Sequence, residues 1–230
     1  MRLFAIRDFC YTDFMGLAGY EVYPIDSATA LDIAVRHHYL HRRAPASHCF
    51  GLFDREASLV GVAIYGTPAS RNLCSGIAGK EEKECVIELT RLWIADFTPR
   101  NAESFLISRS LKQLPASKNI VVSYAEIGAG HIGTIYQATN WIYTGLSDRH
   151  VIWHIDGEDE GQHQRHLFDK AGGIKQAKHI YGNRMIASER PRKHRYIFLR
   201  GSKKRVRELR AKLRYSEQPY PKMSNNSNND

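Results

Sequence analysis

The sequence predicts a mixed α/β fold, in which helices pack against a sheet that contains both parallel and antiparallel strands. Three observations carry this prediction. Apolar runs of strand length alternate with amphipathic helical runs along the chain. Residues 85–147 have the pattern strand, helix, strand, helix, strand, which requires a parallel pair, whereas residues 49–66 have the pattern of a hairpin. With 230 residues, 43% of them hydrophobic, the chain can bury one full core, and two smaller cores are not excluded.

The elements of the first third are predicted from apolar runs and their flanking polar residues. The run LFAIRDF at 3–9 has the composition of an edge strand. Residues 26–42 are predicted to form a helix, because Asp26 or Ser27 can cap its N-terminus and apolar residues follow at helical spacing. In 49–66, two apolar runs flank a polar turn, as expected of a hairpin.

The long apolar run at 85–95, CVIELTRLWIA, predicts a central strand. Glu88 and Arg91 interrupt it, and burying either charge is costly unless a partner or a cleft receives it. Two residues three apart on a regular strand lie on opposite faces, so we expect Glu88 and Arg91 to meet different partners.

The next elements follow from clear helix and strand boundaries. Residues 98–115 predict a helix that opens with Thr98 and Pro99 and stops at Pro115. It is followed by a buried strand at 119–126, a short helix at 130–141 and a strand leaving that helix.

The last quarter of the chain is predicted to return to the sheet and end in a helix. The run at 150–155 has strand alternation, and we expect it to pair with 195–200. Residues 202–214 predict an amphipathic terminal helix. The low-complexity tail at 223–230 is expected to be disordered.

Positive charge is concentrated at the C-terminal end of the chain. The net charge is +9, and the stretch from Lys178 to Lys222 holds 15 Lys or Arg against Glu189, Glu208 and Glu217. Tyrosines and a phenylalanine lie between these cations, a mixture that suits phosphate contacts combined with stacking on bases. Nucleic acid is therefore the predicted partner, and a solvated basic tail is the alternative.

Several classes of protein are disfavoured by what the sequence lacks. It contains neither a P-loop nor a GxGxxG motif, which argues against nucleotide-phosphate enzymes of those two kinds. No run of 18 apolar residues exists and the first residues lack a signal-peptide pattern, so we expect a soluble, cytoplasmic protein without a membrane partner. The four cysteines are scattered and are expected to be free thiols.

The segment RHHYLHR at 36–42 concentrates three histidines, two arginines and a tyrosine. On a helix that reaches residue 42, His38 shares the inward face with apolar residues, whereas His37 and His41 form an i, i+4 pair on another face. Such a pair can chelate zinc or iron together with a carboxylate from a distant segment. The candidates for that carboxylate are Glu88, Glu126 and Asp148. DNA-phosphate contact and a structural histidine are the alternatives, and all three stay open.

Several motifs in order resemble one known family. They are RHHYLHR (36–42), ELTRLW (88–93), NAESFLI (101–107), SYAE (123–126) with GHIGTIYQATNWIYTG (130–145), RYIF (195–198) and PYPK (219–222). Together they resemble the Mom family of phage DNA modification proteins over residues 3–222. The resemblance implies an acetyltransferase-like (GNAT) fold with a basic C-terminal extension.

The resemblance also implies an activity. Members convert adenine in phage DNA to a carbamoylmethyl derivative at the exocyclic amine, which protects the genome from host restriction endonucleases. The implied group donor is acetyl-CoA or a glycyl donor, and the implied metal is iron or zinc. A DNA-binding protein that keeps the fold without catalysis is the alternative.

Candidate site residues combine this resemblance with their predicted positions on strands and helices. The catalytic candidates are Tyr39, Arg91, Glu126 and Tyr136. His38 and Glu126 are the metal candidates. The glycine loop that acetyltransferases use for pyrophosphate is absent between Trp93 and Phe105, so other residues would contact the donor. These predicted donor contacts are Arg100, Asn101, Ser104 and Ser123.

Double-stranded DNA with a flipped adenine is the predicted partner. The flipped base would enter an aromatic pocket formed by Tyr39, Phe50 and Tyr65. The predicted DNA contacts are Arg36, Arg42, Arg43, Lys193, Arg195, Lys203, Lys204, Arg205 and Arg207. The predicted organisation is a catalytic domain at 1–201, a basic helical DNA-binding extension at 202–222 and a tail at 223–230. Whether the protein is a dimer is left open.

Overall fold

The computed structural model describes residues 16–157 and 164–222, so the predicted strand at 3–9 and the tail at 223–230 lie outside the described residues. The central element is a seven-stranded sheet. Its strands, in spatial order, are β1 (Glu21–Ile25), β2 (His48–Phe53), β3 (Leu59–Gly66), β4 (Val86–Ile94), β5 (Ile120–Glu126), β9 (Lys193–Leu199) and β6 (Ile142–Leu146). Strands β4 and β5 are parallel and the other neighbours are antiparallel, which confirms the mixed α/β class.

A separate two-stranded ribbon consists of β7 (His150–Ile155) and β8 (Met185–Arg190). The prediction that 150–155 pairs with 195–200 is wrong. The latter run belongs to β9, whose two edges are already paired with β5 and β6, so no hydrogen-bonding edge is left for β7.

Helices cover both faces of the sheet. They are α1 (Ser27–His37), α2 (Arg71–Ala78), α3 (Ala102–Gln113), α4 (Thr134–Ala138), α5 (Gln164–Ala171), α6 (Ile174–Tyr181) and α7 (Lys203–Lys212). Helices α3 and α4 pack on one side, which we call the α3 face, around Leu106 and Tyr136. Helices α1, α2 and α7 pack on the other side, the α1 face, around Ala34, Ile77 and Leu209. None of the helices in the described ranges is long and apolar enough to cross a bilayer.

The predicted terminal helix is present as α7 and is packed on the sheet. Its Leu209 is fully buried in the α1-face core. Arg205 Nη1 and Lys212 Nζ lie 3.1 Å and 2.6 Å from Glu82 Oε1, and these hydrogen bonds hold the pKa of that carboxyl down at about 2. Deleting α7 would therefore remove positive charge, expose core residues and leave the buried Glu82 carboxylate without its partners.

Helix α1 is shorter than the predicted 26–42. Asp26 caps its N-terminus by accepting a hydrogen bond from the Thr29 amide at 2.8 Å. The helix ends at His37, because His38 adopts an extended backbone and His41 a left-handed one with φ of 43°. The predicted i, i+4 pair of His37 and His41 therefore does not exist.

The predicted helix at 98–115 begins later, at Ala102, and ends at Gln113. Asn101 precedes it with a left-handed backbone, φ 69°, which cannot continue a helix towards Thr98. The hairpin at 49–66, the buried strand at 119–126 and the short helix within 130–141 are confirmed. Cys49, Cys74 and Cys85 are free thiols, as predicted.

Strand β4 contains a bulge at Thr90. Ile64 of β3 lies opposite Arg91 and the next residue, Tyr65, lies opposite Leu89, so Thr90 has no partner in the ladder. Its hydroxyl instead donates to the Ile64 carbonyl at 3.0 Å. Because of this extra residue, the side chains of Glu88 and Arg91 lie on the same face of the strand.

This bulge corrects the expectation that Glu88 and Arg91 lie on opposite faces. Both line a single cleft. The cleft exists because β4 and β5 are hydrogen-bonded only over Val86–Glu88 and Ile120–Val122. Beyond those residues the two strands separate, and the sheet has a gap in its middle.

Candidate active site

The gap between β4 and β5 is a cleft of about 960 Å³. Residues 88–97 form one wall and residues 123–126 form the other. The loop after α1, residues 37–40, closes the α1-face side, where His131 lies beside Tyr39, and residues 132–136 close the α3-face side. Side chains alternate along β5, so Tyr124 and Glu126 face the α1 side whereas Ser123 and Ala125 face the α3 side. The cleft is thus lined by one set of side chains on its α1 side and by a different set on its α3 side.

On the α1 side, Tyr39, Glu126 and Lys193 form a hydrogen-bonded group. The Tyr39 hydroxyl donates to Glu126 Oε2 at 3.1 Å, and Lys193 Nζ donates to the same oxygen at 3.4 Å. Burial acts to raise the pKa of Glu126, but the Lys193 charge and these two hydrogen bonds outweigh it, so the pKa lies below its ordinary value. Burial, together with the Glu126 charge, raises the pKa of Tyr39 to about 12. At neutral pH the group therefore holds a carboxylate and a protonated phenol.

His38 lies beside this group, with its ring stacked on Tyr39 at a centroid distance of 4.3 Å. Burial, followed by the charges of Arg91 and His41, lowers the pKa of His38 to about 4. The ring is neutral at pH 7, and its Nδ1 accepts a hydrogen bond from the Leu40 amide at 3.2 Å. The proton of the neutral ring is therefore assigned to Nε2.

The geometry does not fit the predicted metal site. Within residues 16–157 and 164–222, no group of three His, Cys, Asp or Glu side chains converges as metal ligands would. His38 Nδ1 is engaged with the backbone, and the Glu126 carboxylate is engaged with Tyr39 and Lys193. His37 stacks on Trp93 at 4.8 Å, and His41 Nδ1 lies 3.0 Å from the Val35 carbonyl oxygen. The histidines of RHHYLHR thus have three separate environments.

Arg91 lines the cleft and has one unpaired donor. Its Nη1 donates to the Thr90 carbonyl at 2.6 Å and its Nη2 to the Arg42 carbonyl at 3.5 Å. Its Nε is buried and has no hydrogen-bond partner. A buried guanidinium N–H without a partner is costly, and an anionic or carbonyl group of a bound molecule would satisfy it.

Among the cleft residues, Glu88 has a carboxyl pKa that is raised close to neutral pH. Burial raises the pKa of its carboxyl to about 7, against the opposing effects of Lys193 and Arg91. No side-chain hydrogen bond reaches this carboxyl from the described residues. A group that exchanges a proton near pH 7 in a cleft is suited to general base catalysis. The sequence pattern indicates only a metal ligand or an ion-pair partner at Glu88, and does not indicate a general base.

On the α3 side, Ser123 and Tyr136 are joined by a hydrogen bond of 2.8 Å. Ser123 Oγ donates this bond, and it also lies 3.0 Å from the Leu89 carbonyl oxygen. Burial raises the pKa of Tyr136 to about 12, although the Ser123 hydrogen bond lowers it somewhat. The phenol therefore keeps its proton at neutral pH and could donate it.

The predicted donor contacts are only partly brought together. Ser123 lines the cleft, whereas Arg100, Asn101 and Ser104 do not. Arg100 and Asn101 are exposed, and Ser104 is buried under α3. Glu103 lines this end of the cleft instead, and its carboxylate opposes binding of a pyrophosphate at the start of α3.

The aromatic lining differs from the predicted one. Phe50 and Tyr65 belong to the core, and the Tyr65 hydroxyl lies 2.7 Å from Ser110 Oγ. Tyr39 does line the cleft, half exposed, with the His131 ring 5.8 Å away. Trp93 completes this rim through its stack with His37. No local pattern indicates that Trp93 and His131 lie near Tyr39, because the three residues come from three separate segments.

The predicted DNA contacts lie on several different elements of the structure. Lys193 lies inside the cleft, while the exposed Arg42 and Arg43 lie in the loop between α1 and β2. Arg36 is exposed on α1 and forms a salt bridge with Asp32. Arg195 is only 5% exposed, covers the Tyr215 ring at 3.4 Å and donates to Thr144.

The α7 cations lie far from the cleft. Lys203, Lys204 and Arg207 are exposed, whereas Arg205 is bound to Glu82. Arg205 Nε also lies 3.4 Å from Asn119 Oδ1. Asn119 directly precedes the N-terminal end of β5, whereas the cleft lies towards the C-terminal end of that strand. At ~3.3 Å a residue, Asn119 lies roughly 13 Å along the strand from Ser123, where the cleft begins, and roughly 23 Å from Glu126.

Comparison with known proteins identifies the family. The model of the Mom protein family matches residues 19–222. The methylcarbamoylase Mom of Escherichia phage Mu is 31% identical over 193 residues, which cover 80% of this chain and 76% of that protein.

Solved structures with a related arrangement are acetyltransferases. The spermidine/spermine N-acetyltransferase SpeG of Vibrio cholerae has a TM-score of 0.42 at 9% identity, over 80% of this chain and 94% of its own. NAA60 of Arabidopsis thaliana, solved with a bisubstrate analogue, has a TM-score of 0.48 at 10% identity, over 78% and 97% of the two chains. The family match covers most of the sequence, and the chain belongs to the Mom protein family.

Proposed function

We propose that this protein modifies the exocyclic amine of adenine in phage DNA, converting it to a carbamoylmethyl derivative and so protecting the DNA from restriction endonucleases. Membership of the Mom family supports the proposal, since the phage Mu relative is a methylcarbamoylase. The observation that carries it is the cleft between β4 and β5. Residues from four separate segments meet there, and they are Tyr39, Arg91, Glu126 and Tyr136.

The α1 side of the cleft suits the adenine. Tyr39, Trp93 and His131 offer aromatic surfaces on which a base extruded from the duplex can stack. A volume of about 960 Å³ lies at the upper end of the range for ligand sites, so a nucleotide and a small donor group fit together. Action on phage DNA places the protein in the host cytoplasm.

Glu88 acts as the general base in this proposal. The adenine amine is a weak nucleophile, and it must lose a proton as its nitrogen attacks the donor carbon. With a pKa of about 7, the Glu88 carboxylate accepts that proton at neutral pH. Arg91 Nε stabilises the oxygen that gains negative charge during the attack. Tyr136 returns a proton to the leaving group from the α3 side.

The chemistry of the product favours a glycyl donor over an acetyl donor. Direct acyl transfer joins the amine to a carbonyl carbon, whereas the carbamoylmethyl product joins it to a methylene carbon. Glycyl and carbamoylmethyl substituents are isomers, so glycyl transfer followed by rearrangement needs no further reactant. An acetyl group from acetyl-CoA would in addition need a nitrogen source and a two-electron oxidant.

Mass analysis of nucleosides tests this function. DNA from cells that express the protein is expected to contain deoxyadenosine heavier by one carbamoylmethyl group, and isotope from labelled glycine should enter that group beyond what enters the purine ring of unmodified deoxyadenosine. Cells that express the Arg91→Lys variant at the same level serve as the control and should show little of it. Unmodified deoxyadenosine in DNA that the protein binds tightly would instead indicate a DNA-binding protein without catalysis.

A further inference from the structure

The β7–β8 ribbon is a surface that the proposed chemistry does not use. It is inserted between β6 and β9 of the central sheet, and its two strands pair only with each other in the described part of the chain. Helices α5 and α6 connect the strands and pack on one side of the ribbon. On that side Ile155, Met185 and Ala177 are buried, and Lys178 Nζ lies 4.8 Å from the centre of the Trp153 ring.

On the other side of the ribbon, which we call its open face, His150, His154 and Ile186 are exposed and the remaining side chains are partly exposed. Alternation and the cross-strand register assign six side chains to it, from His150 opposite Arg190 to His154 opposite Ile186. The six are His150, Ile152, His154, Ile186, Ser188 and Arg190. They offer hydrogen-bond donors and two aliphatic groups, and none of them is acidic. Glu189 lies on the opposite side, where it pairs with Arg149.

The root of the ribbon is fixed beside the α1-side mouth of the cleft. The Ser147 amide donates to the Lys193 carbonyl at 2.7 Å, and Arg192 Nε donates to the Ser147 carbonyl at 2.6 Å. The charge of Arg190 lowers the pKa of both Glu126 and Lys193, which are cleft residues. The open face therefore begins where an adenine would enter.

Duplex DNA fits this surface in shape and in chemistry. The major groove is about 12 Å wide and admits a two-stranded β-ribbon, and the strands of this ribbon are roughly 20 Å long. Each base pair presents a distinct pattern of donors and acceptors in that groove, and adenine can be recognised there before it is extruded. Histidine, serine and arginine can hydrogen-bond to base edges and phosphates there.

We infer that the open face of the β7–β8 ribbon binds duplex DNA in the major groove next to the target adenine. This inference rests on the proposed function, since it takes DNA as the substrate. It also differs from the sequence-based expectation, because it assigns the main DNA contact to the ribbon instead of the α7 cations, which lie beyond the N-terminal end of β5.

Two charge-matched double variants of the full chain test the inference. His154→Glu with Ser188→Glu places two negative charges on the open face, away from the cleft end of the ribbon. Lys203→Gln with Lys204→Gln removes two positive charges from α7, so both variants change the net charge by the same amount. Binding to a fluorescent duplex of mixed sequence is measured by anisotropy at physiological salt, and circular dichroism verifies that each variant is folded.

The ribbon variant is expected to bind the duplex about tenfold more weakly or worse, and the α7 variant about as well as the wild type. Equal binding by the ribbon variant and the wild type would overturn the inference, as would an equal loss in both variants. In those cases the wild type would still modify adenine, and the proposed function would stand. A wild-type protein that neither binds nor modifies DNA would overturn both.

If the ribbon variant is misfolded, the milder pair His154→Ala with Ser188→Ala replaces it. His154 is exposed and Ser188 is partly exposed, and neither belongs to the hydrophobic core, so their truncation is expected to leave the fold intact. A smaller loss of affinity, about threefold, is then expected because donors are removed without adding repulsion. No loss with this pair would again overturn the inference.

Discussion

Replacement of Glu88 with glutamine is expected to slow adenine modification by about 10²–10⁴-fold, the usual contribution of a general base. Glutamine has nearly the same shape but cannot accept the proton from the adenine amine. The fold should be retained, because the substitution removes a buried ionisable group and leaves no partner unpaired. The measurement is the initial rate of formation of modified deoxyadenosine by purified protein, with Glu84→Gln, an exposed glutamate near the start of β4, as the control.

The same residue sets an expected pH dependence. The pKa of Glu88 is raised to about 7 by burial, so the carboxyl is protonated below that pH and cannot act as a base. The rate for the wild type should therefore fall as the pH decreases through about 7. A wild-type rate that stays about constant from pH 8 to pH 6 would show that Glu88 is not the general base.

Replacement of Arg91 with lysine is expected to lower the rate by about 10²–10³-fold, the usual cost of losing a donor that stabilises charge in the transition state. Lysine keeps the positive charge, but one ammonium cannot replace a guanidinium that bonds two carbonyls and still directs Nε into the cleft. Arg100→Lys is the matched control, because Arg100 is exposed and lies outside the cleft.

The effect of Arg91→Lys should appear in kcat more than in KM, since the donor acts on charge that develops during the reaction. A rise in KM with kcat unchanged would indicate that Arg91 only binds the substrate. Activity equal to that of the wild type would show that the unpaired Nε has no part in the reaction.

The sequence predicted the elements whose signals are local. The strands β4 and β5 and the helix after β4 are long, strongly patterned and well bounded, and the structure contains all three. Glu126 was predicted from its position at the end of a strand, and it lies in the cleft with Tyr39, Arg91 and Tyr136. Whether these residues have the predicted roles stays a prediction.

Features that depend on distant parts of the chain were not predictable. The bulge at Thr90 is stabilised through carbonyls of Pro45 and Ile64, which are 45 and 26 residues away, so no local pattern in β4 reveals it. Without the bulge, Glu88 and Arg91 would lie on opposite faces of the strand, and for that reason regular strand alternation predicts separate partners for them. The Glu88 pKa depends on the same long-range arrangement.

Strand pairing was wrong at β7 for a similar reason. Both 150–155 and 195–200 have strand alternation, but the order of the seven-stranded sheet decides which edges are free. The true partner, β8, ends in Ser188, Glu189 and Arg190, which are too polar to suggest a strand. The premature end of α1 likewise depends on the left-handed backbone of His41, a conformation that side-chain periodicity does not indicate.

The central claim is that the target adenine occupies the cleft between β4 and β5, and photocrosslinking tests it most directly. A duplex that carries a photoreactive adenine analogue is irradiated with the full-length protein, and the attached peptide is identified by mass spectrometry. The account predicts attachment within residues 37–40, 91–97 or 130–136, which line the cleft. Attachment confined to α7 or to the exposed loops away from the cleft would contradict it.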